Sequence, residues 1–287
     1  MALFLAITAA LGFTALDIFR KLLGKRYSSI NIVIGMSAGA APVFAVLAAI
    51  QGFPFQWPFP LLALLEIMTF SLASILYVQA VKLSPLSLTI PYLGLTPVFS
   101  MFISYFLINE VPNSRGMIGI LLVVAGAVTI QWDGNRSLLN LLKAPFIEPG
   151  SSRMILVSLL FGLGTAIDKI SISYSSEIMV ALALTGGGAV FLILYQLLLN
   201  RRDLQIMQKR SWYLDPLLYG AALVCGIAMV SQFFAYQGML VSYVEAIKRA
   251  GGLVSSLIGI LFFRESNAWS RIPSAVMILI GAVMITL

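Results

Sequence analysis

Hydrophobic residues in this chain gather in long unbroken runs, and polar residues, Gly and Pro collect in the short stretches between them. About 20 apolar residues at 1.5 Å rise match the roughly 30 Å of hydrocarbon in a bilayer. On that length the chain divides into ten spans, at 2–20, 30–50, 59–81, 86–107, 114–132, 153–172, 178–199, 215–238, 240–262 and 270–287. The longest interruption, "DGNRSLLNLLKAPFIEPGSS" (133–152), mixes charge, Gly and Pro and reads as a linker between two halves. No gap is long enough for a soluble domain. The pattern predicts an all-α integral membrane protein.

Composition agrees. Hydrophobic residues make up 60% of the chain and charged residues only 10%, with a mean hydropathy of +0.99. A soluble domain carries about 25% charged residues, so nothing here would cover a water-facing surface. The net charge of +7 does not signal nucleic acid, because the basic residues gather beside helix ends. Arg20, Lys21, Lys25 and Arg26 follow the first span, Lys82 the third, and Arg201, Arg202, Lys209 and Arg210 the seventh. The opposite side holds Arg115 and Lys169. The positive-inside rule then puts the odd-numbered loops in the cytoplasm and both termini outside. With no histidine and Cys225 the sole cysteine, an internal disulfide is excluded, and no metal site or cofactor with His or Cys ligands is expected. The N-terminal run lacks a basic leader and reads as a first membrane helix rather than a cleaved signal.

The two halves repeat. "FTALDIFRKLLGKRYSS" (13–29) and "GTAIDKISISYSS" (164–176) share Thr-Ala-(Leu/Ile)-Asp, then a basic residue, then Tyr-Ser-Ser, which aligns Asp17 with Asp168. "SAGAA" (37–41) parallels "TGGGA" (185–189), two small-residue patches of the kind that let helices approach closely. "INEVPNSRGMIGILLVVAGAVTI" (108–130) parallels "FRESNAWSRIPSAVMILIGAVMI" (263–285), aligning Glu110 with Glu265 and Gly126 with Gly281. Repeats over 1–132 and 153–287 would hold five helices each. Because five is odd, the second must enter the membrane in the opposite sense. Inverted repeats of this kind support alternating access, since the halves can exchange conformations about an axis in the membrane plane.

On these features the chain resembles the drug/metabolite transporter superfamily, and within it the EamA-type exporters. The resemblance rests on the five-plus-five duplication, the endings "FLINE" and "GILFFRE", the Gly-rich helices ending "GAV", and "VEAIKRAGGLVSSLIGILFFRE" (244–265). It implies a ten-helix transporter that moves small metabolites, often amino acids or drug-like compounds, usually outward. Family members commonly have cytoplasmic termini, whereas the charge distribution here argues the reverse.

Ionisable residues inside the spans are costly, about 2.5–3.5 kcal/mol each at a helix centre on insertion scales, and mark candidate sites. Asp17, Glu66, Asp168, Glu245, Lys248 and Arg249 are such residues. Glu245, Lys248 and Arg249 share one helical face at i, i+3 and i+4. They form either a pocket for a carboxylate and an amine or a self-neutralising ion pair with snorkelling side chains. Asp168 either reaches Lys248 or Arg249, or caps its helix beside Lys169. Asp17 pairs with Arg20 or Lys21, or contacts substrate. Glu66 lies deepest and fits a proton carrier or a packing carboxyl. Pro91 and Pro97 interrupt the fourth span around Tyr92 and Gly94. Gln79, Tyr77, Gln232 and Tyr236 add amide and aromatic groups, while Glu110 and Glu265 suit loop anchoring.

The reading is a secondary transporter in the bacterial inner membrane, exporting amino acids or related zwitterions, complete as a monomer and open to proton coupling. A flippase of lipid-linked sugars is the alternative. An intramembrane aspartyl protease is disfavoured, because Thr165 stands where its catalytic aspartate would follow "GLG" and Leu16 precedes Asp17.

Overall fold

The computed structural model describes residues 1–84, 92–129, 148–199, 215–251 and 272–286, and every regular element among them is helical. In chain order these are α1 (Ala2–Gly24), α2 (Ser29–Ile50), α3 (Phe59–Leu83), α4 (Thr96–Ile108), α5 (Ser114–Thr129) and α6 (Pro149–Ser173). The next, α7, is interrupted: Glu177–Leu182, a π-helical turn at Ala183–Gly187, then Gly188–Leu199. It is followed by α8 (Pro216–Tyr236), α9 over 241–251, and α10 (Ile272–Thr286). Six of the described helices are long and apolar enough to cross a membrane: α1, α2, α3, α6, α7 and α8. Their outward faces carry exposed large apolar residues such as Phe4, Val46, Leu64 and Leu223. In water these would be a liability; in lipid they face a matching solvent.

Local chemistry starts and stops the helices. Ser28 and Ser176 cap α2 and α7 by accepting from the N–H groups of Asn31 and Met179. Asp215 caps α8 ahead of Pro216, and the same carboxylate accepts from the Tyr27 hydroxyl (2.8 Å) and Arg26 (3.3 Å), tying α8 to the end of α1. Asn109 ends α4 in the left-handed conformation that Asn tolerates.

Three boundaries differ from the sequence expectation. Helix α1 runs to Gly24, so Arg20 is helical and faces inward instead of sitting in a loop. Residues 149–152, expected in the linker, form the first turn of α6. Pro149 stands in that first turn, and Gly150 N–H donates to Ser84 Oγ (3.2 Å) at the end of α3. Pro97 does not bend the middle of a helix; it occupies the first turn of α4, where the missing N–H costs nothing, after a break at Gly94 and Leu95. Pro91 and Glu265 lie outside the described residues.

The packing pairs elements from opposite halves. Helix α1 lies against α8, α3 against α6, α5 against α10, α4 against α6, and α2 against α7 and α8. Close contacts are made by small residues: a Cβ on Gly12 would come 2.7 Å from Ala228 Cβ, and one on Gly39 2.6 Å from Ala222 Cβ. Between α5 and α10, a Cβ on Gly119 would meet Gly281 O at 2.8 Å, and one on Gly126 would meet Ser274 O at 2.7 Å. Leucine at position 119 therefore wedges the α5–α10 pair apart. Gly119→Leu is expected to cost about 1–3 kcal/mol, read as a lower melting temperature in detergent. Gly24→Ala, whose Cβ would meet only Lys82 Cε at 3.6 Å, is expected to melt like the wild type.

Candidate transport cavity

A buried cavity of about 80 Å³ lies between the helices of the two halves. It has room for a handful of waters at roughly 15 Å³ of such space each. Its charged lining comes from Asp17 and Arg20 of α1, Glu66 of α3, Asp168 of α6, and Lys248 and Arg249 of α9. Phe13, Phe70, Phe161 and Phe233 supply apolar wall. The π-helical turn of α7 contributes Leu184. A π turn displaces side chains from the regular helical register, a device frequent at functional sites.

The charges divide into compensated and uncompensated groups. Arg20 bonds Asp17 at 3.1 Å and lies 4.7 Å from the Tyr77 ring centroid, while Tyr77 OH donates to the same Asp17 oxygen at 2.8 Å. Glu245 is fully buried and takes two cations, Lys248 at 2.6 Å and Arg249 at 3.2 Å. Lys248 also donates to Gln232 Oε1 (2.5 Å) and sits 4.4 Å from the Phe13 ring centroid. Glu245 is thus the anchor of an ion triad, and its partners face the cavity.

Glu66 and Asp168 are different. Glu66 is 1% exposed; no donor lies within normal hydrogen-bond distance of its carboxyl oxygens, and the donor that acts on them is the nearby Ser171 hydroxyl. Asp168, 6% exposed, forms no ion pair among the described residues; the charges that act on it are Glu66, Lys248 and Glu245. That Ser171 hydroxyl is itself buried. Uncompensated carboxyls in a low-dielectric interior are costly and call for a cation, a proton or a donor from a ligand.

Asp168 thus does neither of the two things its sequence context allows. It makes no contact with Lys248 or Arg249 at ion-pair distance, and it does not cap α6 beside Lys169. Lys169 turns away to form an ion pair with Glu110 and donates to Met239 O (3.0 Å). Glu110 also accepts from Val241 N–H (2.9 Å), which makes it the loop anchor its position implied. The register that matches Asp17 with Asp168 puts Ser171 where the first half has Arg20. Serine there offers Asp168 no counter-ion of the kind that Arg20 gives Asp17.

Two sequence candidates fall elsewhere. Gln79 lines a separate groove on the lipid-facing side of α3. Tyr92 is buried outside the cavity lining, and its carbonyl accepts from Ser158 Oγ (2.6 Å). Sequence reasoning missed Arg20 as a lining residue, along with Thr69 and Thr165, which line the cavity as uncharged donors. It also missed the buried Gln196–Asn31 hydrogen bond (2.8 Å) linking α2 to α7.

A polar, partly uncompensated cavity enclosed by the apolar helices of a multi-pass membrane protein is the arrangement of a membrane transporter. Residues 1–132 match the model of the EamA-like transporter family, in keeping with the likeness to the drug/metabolite transporter superfamily. A crystal structure of a protein 17% identical in sequence shares the fold, with a TM-score of 0.76 over 99% of this chain and 96% of the other. No curated protein matches the chain.

Proposed function

We propose that the protein is a secondary transporter of small organic metabolites that works by alternating access through the central cavity. Its cargo is an amino acid or a related zwitterion, moved outward across a bacterial inner membrane. The observation that carries this reading is the pair of carboxyls without an ion pair among the described residues, Glu66 and Asp168, lining one cavity with Lys248 and Arg249. A substrate ammonium would meet the carboxyls and a substrate carboxylate the cations, each at a charge already held in place. With no substrate bound, protons are the natural partners of Glu66 and Asp168. Loading cargo then displaces them and couples its movement to the proton gradient.

The mechanism draws on an inverted repeat of two five-helix units, one over 1–132 and one beginning at Pro149. Several contacts support this layout by recurring with the partners exchanged. The α1–α8 pair corresponds to α6–α3. A Cβ on Gly251 of α9 would lie 2.5 Å from Thr14 Oγ1, and Thr165, which matches Thr14 in the repeat, contacts Ser100 Oγ of α4 at 3.3 Å. The register that aligns Gly126 with Gly281 also aligns Gly119 with Ser274, so the contacts of Gly119 with Gly281 and of Gly126 with Ser274 are the same contact made twice. Such a frame can close at either end around one central site.

Purified protein in liposomes, given a panel of labelled amino acids with and without a pH gradient, tests the reading. Saturable flux of at least one amino acid, faster when the gradient opposes the cargo, is expected. Absence of flux across the panel would remove the substrate class, and flux indifferent to the gradient would remove the proton coupling.

A further inference from the structure

The wall of the cavity formed by α9 offers two cations, and their hydrogen bonding divides them. A lysine ammonium has three donors. That of Lys248 gives one to Glu245 Oε1 at 2.6 Å and one to Gln232 Oε1 at 2.5 Å, and it lies 4.4 Å from the Phe13 ring centroid. Lys248 is spent on the protein itself. A guanidinium has five donors in a planar fork. Arg249 uses Nη2 alone, which donates to Glu245 Oε2 at 3.2 Å. Its Nε is buried with no hydrogen-bond partner among the described residues, and the residue lines the cavity. A buried donor left unbonded costs the full desolvation of that group, so this edge of the guanidinium calls for an acceptor.

We propose that Arg249 is the anchor for the carboxylate of the cargo, and that the site takes monocarboxylates in preference to dicarboxylates. This rests on the transport reading for the presence of a cargo, and adds which residue holds it and how much negative charge it carries. The charges fit one carboxylate. Arg20 is matched by Asp17 at 3.1 Å, whereas Glu245, a single anion, is shared by Lys248 and Arg249. The α9 side of the cavity therefore carries one surplus positive charge. A second carboxylate finds no cation to meet, because the other charged groups of the described lining are the Asp17–Arg20 pair, Glu66 and Asp168.

Shape and placement fit as well. The edge of the fork that holds Nε–H and an Nη–H meets both oxygens of a carboxylate at once, which a lysine ammonium cannot do. The charge of Arg249 acts on Asp17 and Tyr77 as well as on Glu245, so the guanidinium lies between the α1 ion pair and the α9 triad. Two residues further on, α9 meets α1 closely: a Cβ on Gly251 would fall 2.5 Å from Thr14 Oγ1 and 2.9 Å from Ala10 O. That contact fixes the backbone from which the guanidinium extends. Across the cavity, Glu66 and Asp168 are left for the ammonium of the same cargo.

Melting shifts of the purified protein in detergent test the assignment without requiring translocation, because a ligand of the folded state raises the melting temperature with its concentration. The probes are glycine, alanine and leucine, the amide of each, and the dicarboxylates aspartate and glutamate. At least one neutral amino acid is expected to stabilise the wild type. Its amide and the dicarboxylates should need about 10–100-fold higher concentration for the same shift, the equivalent of one charge-assisted hydrogen bond. Arg249→Gln should bring acid and amide to equal potency, a change that a merely structural arginine would not produce. Arg249→Lys, which keeps the charge but loses the fork, should bind the acid more weakly and still prefer it to the amide. Equal potency of acid and amide in the wild type, dicarboxylates as potent as neutral amino acids, or a preference that survives Arg249→Gln would overturn the assignment and leave cargo binding in place. No shift with any neutral amino acid would overturn it together with the cargo class. Shifts of the expected pattern without flux in liposomes would overturn the transport reading and leave Arg249 as the carboxylate anchor.

Discussion

A Glu245→Ala variant is expected to lose about 3–5 kcal/mol of stability, the cost of breaking a buried ion pair by removing one partner. The size follows from the geometry. Glu245 is completely buried and is the common anion for two cations, whose side chains are themselves only 8% (Lys248) and 15% (Arg249) exposed. Its second role is to accept from Tyr236 OH at 3.4 Å, which ties α9 to α8. Deleting the carboxylate leaves two positive charges side by side in the membrane interior without the anion that both bond. Melting in detergent reads the loss. Glu110→Ala breaks the more exposed pair with Lys169, whose side chain is 27% accessible, and should cost less, on the order of 1 kcal/mol. If Glu245→Ala melted like the wild type, or no lower than Glu110→Ala, the triad would not be the structural anchor described.

The second large effect is on transport rather than folding. Glu66→Gln and Asp168→Asn keep shape and volume and remove only the charge or titratable proton. Neither residue has an ion pair to lose among the described residues, and the Ser171 hydroxyl beside Glu66 can bond an amide as well as a carboxyl, so both variants are expected to melt at or slightly above the wild-type temperature. Flux is expected to fall about 10–100-fold, the equivalent of one lost charge-assisted hydrogen bond of roughly 1.5–3 kcal/mol. Asp17→Asn should behave differently, because Asp17 already holds Arg20 and Tyr77. It strands a cation and should lower both stability and flux. A pattern in which all three variants lose flux only by unfolding would contradict the division between compensated and uncompensated carboxyls.

Much of the fold was legible in the sequence because a membrane imposes one length scale. Runs of the right length located the six long apolar helices, and the residues on which the proposed duplication rests stand out by small size or charge, as with Asp17, Asp168, Gly126 and Gly281. Rotation of each helix about its axis was not legible. When all faces are apolar, nothing in the spacing says which face meets protein and which meets lipid, and so Gln79 was grouped with the site although it lies on the lipid side. Partners across the molecule were equally hidden. Lys169 adjoins Asp168 in sequence, yet its charge is satisfied by Glu110 from the loop after α4, and only the three-dimensional path of the chain brings those two together. Helix ends were masked by composition: "RKLLG" after Asp17 reads as a basic loop, but Leu22 and Leu23 continue α1 and carry Arg20 to the cavity. The π turn of α7 includes Thr185, Gly186 and Gly187, whose small size was read as a packing signal alone.

The most direct test of the central claim is flux of labelled amino acid in one set of liposomes containing wild type, Asp168→Asn, or the Glu66→Gln/Asp168→Asn double variant, at matched protein content. The account predicts saturable flux for the wild type, a fall of at least about tenfold for Asp168→Asn, and little further loss in the double variant, since both groups serve one site. Undiminished flux in the double variant would contradict it.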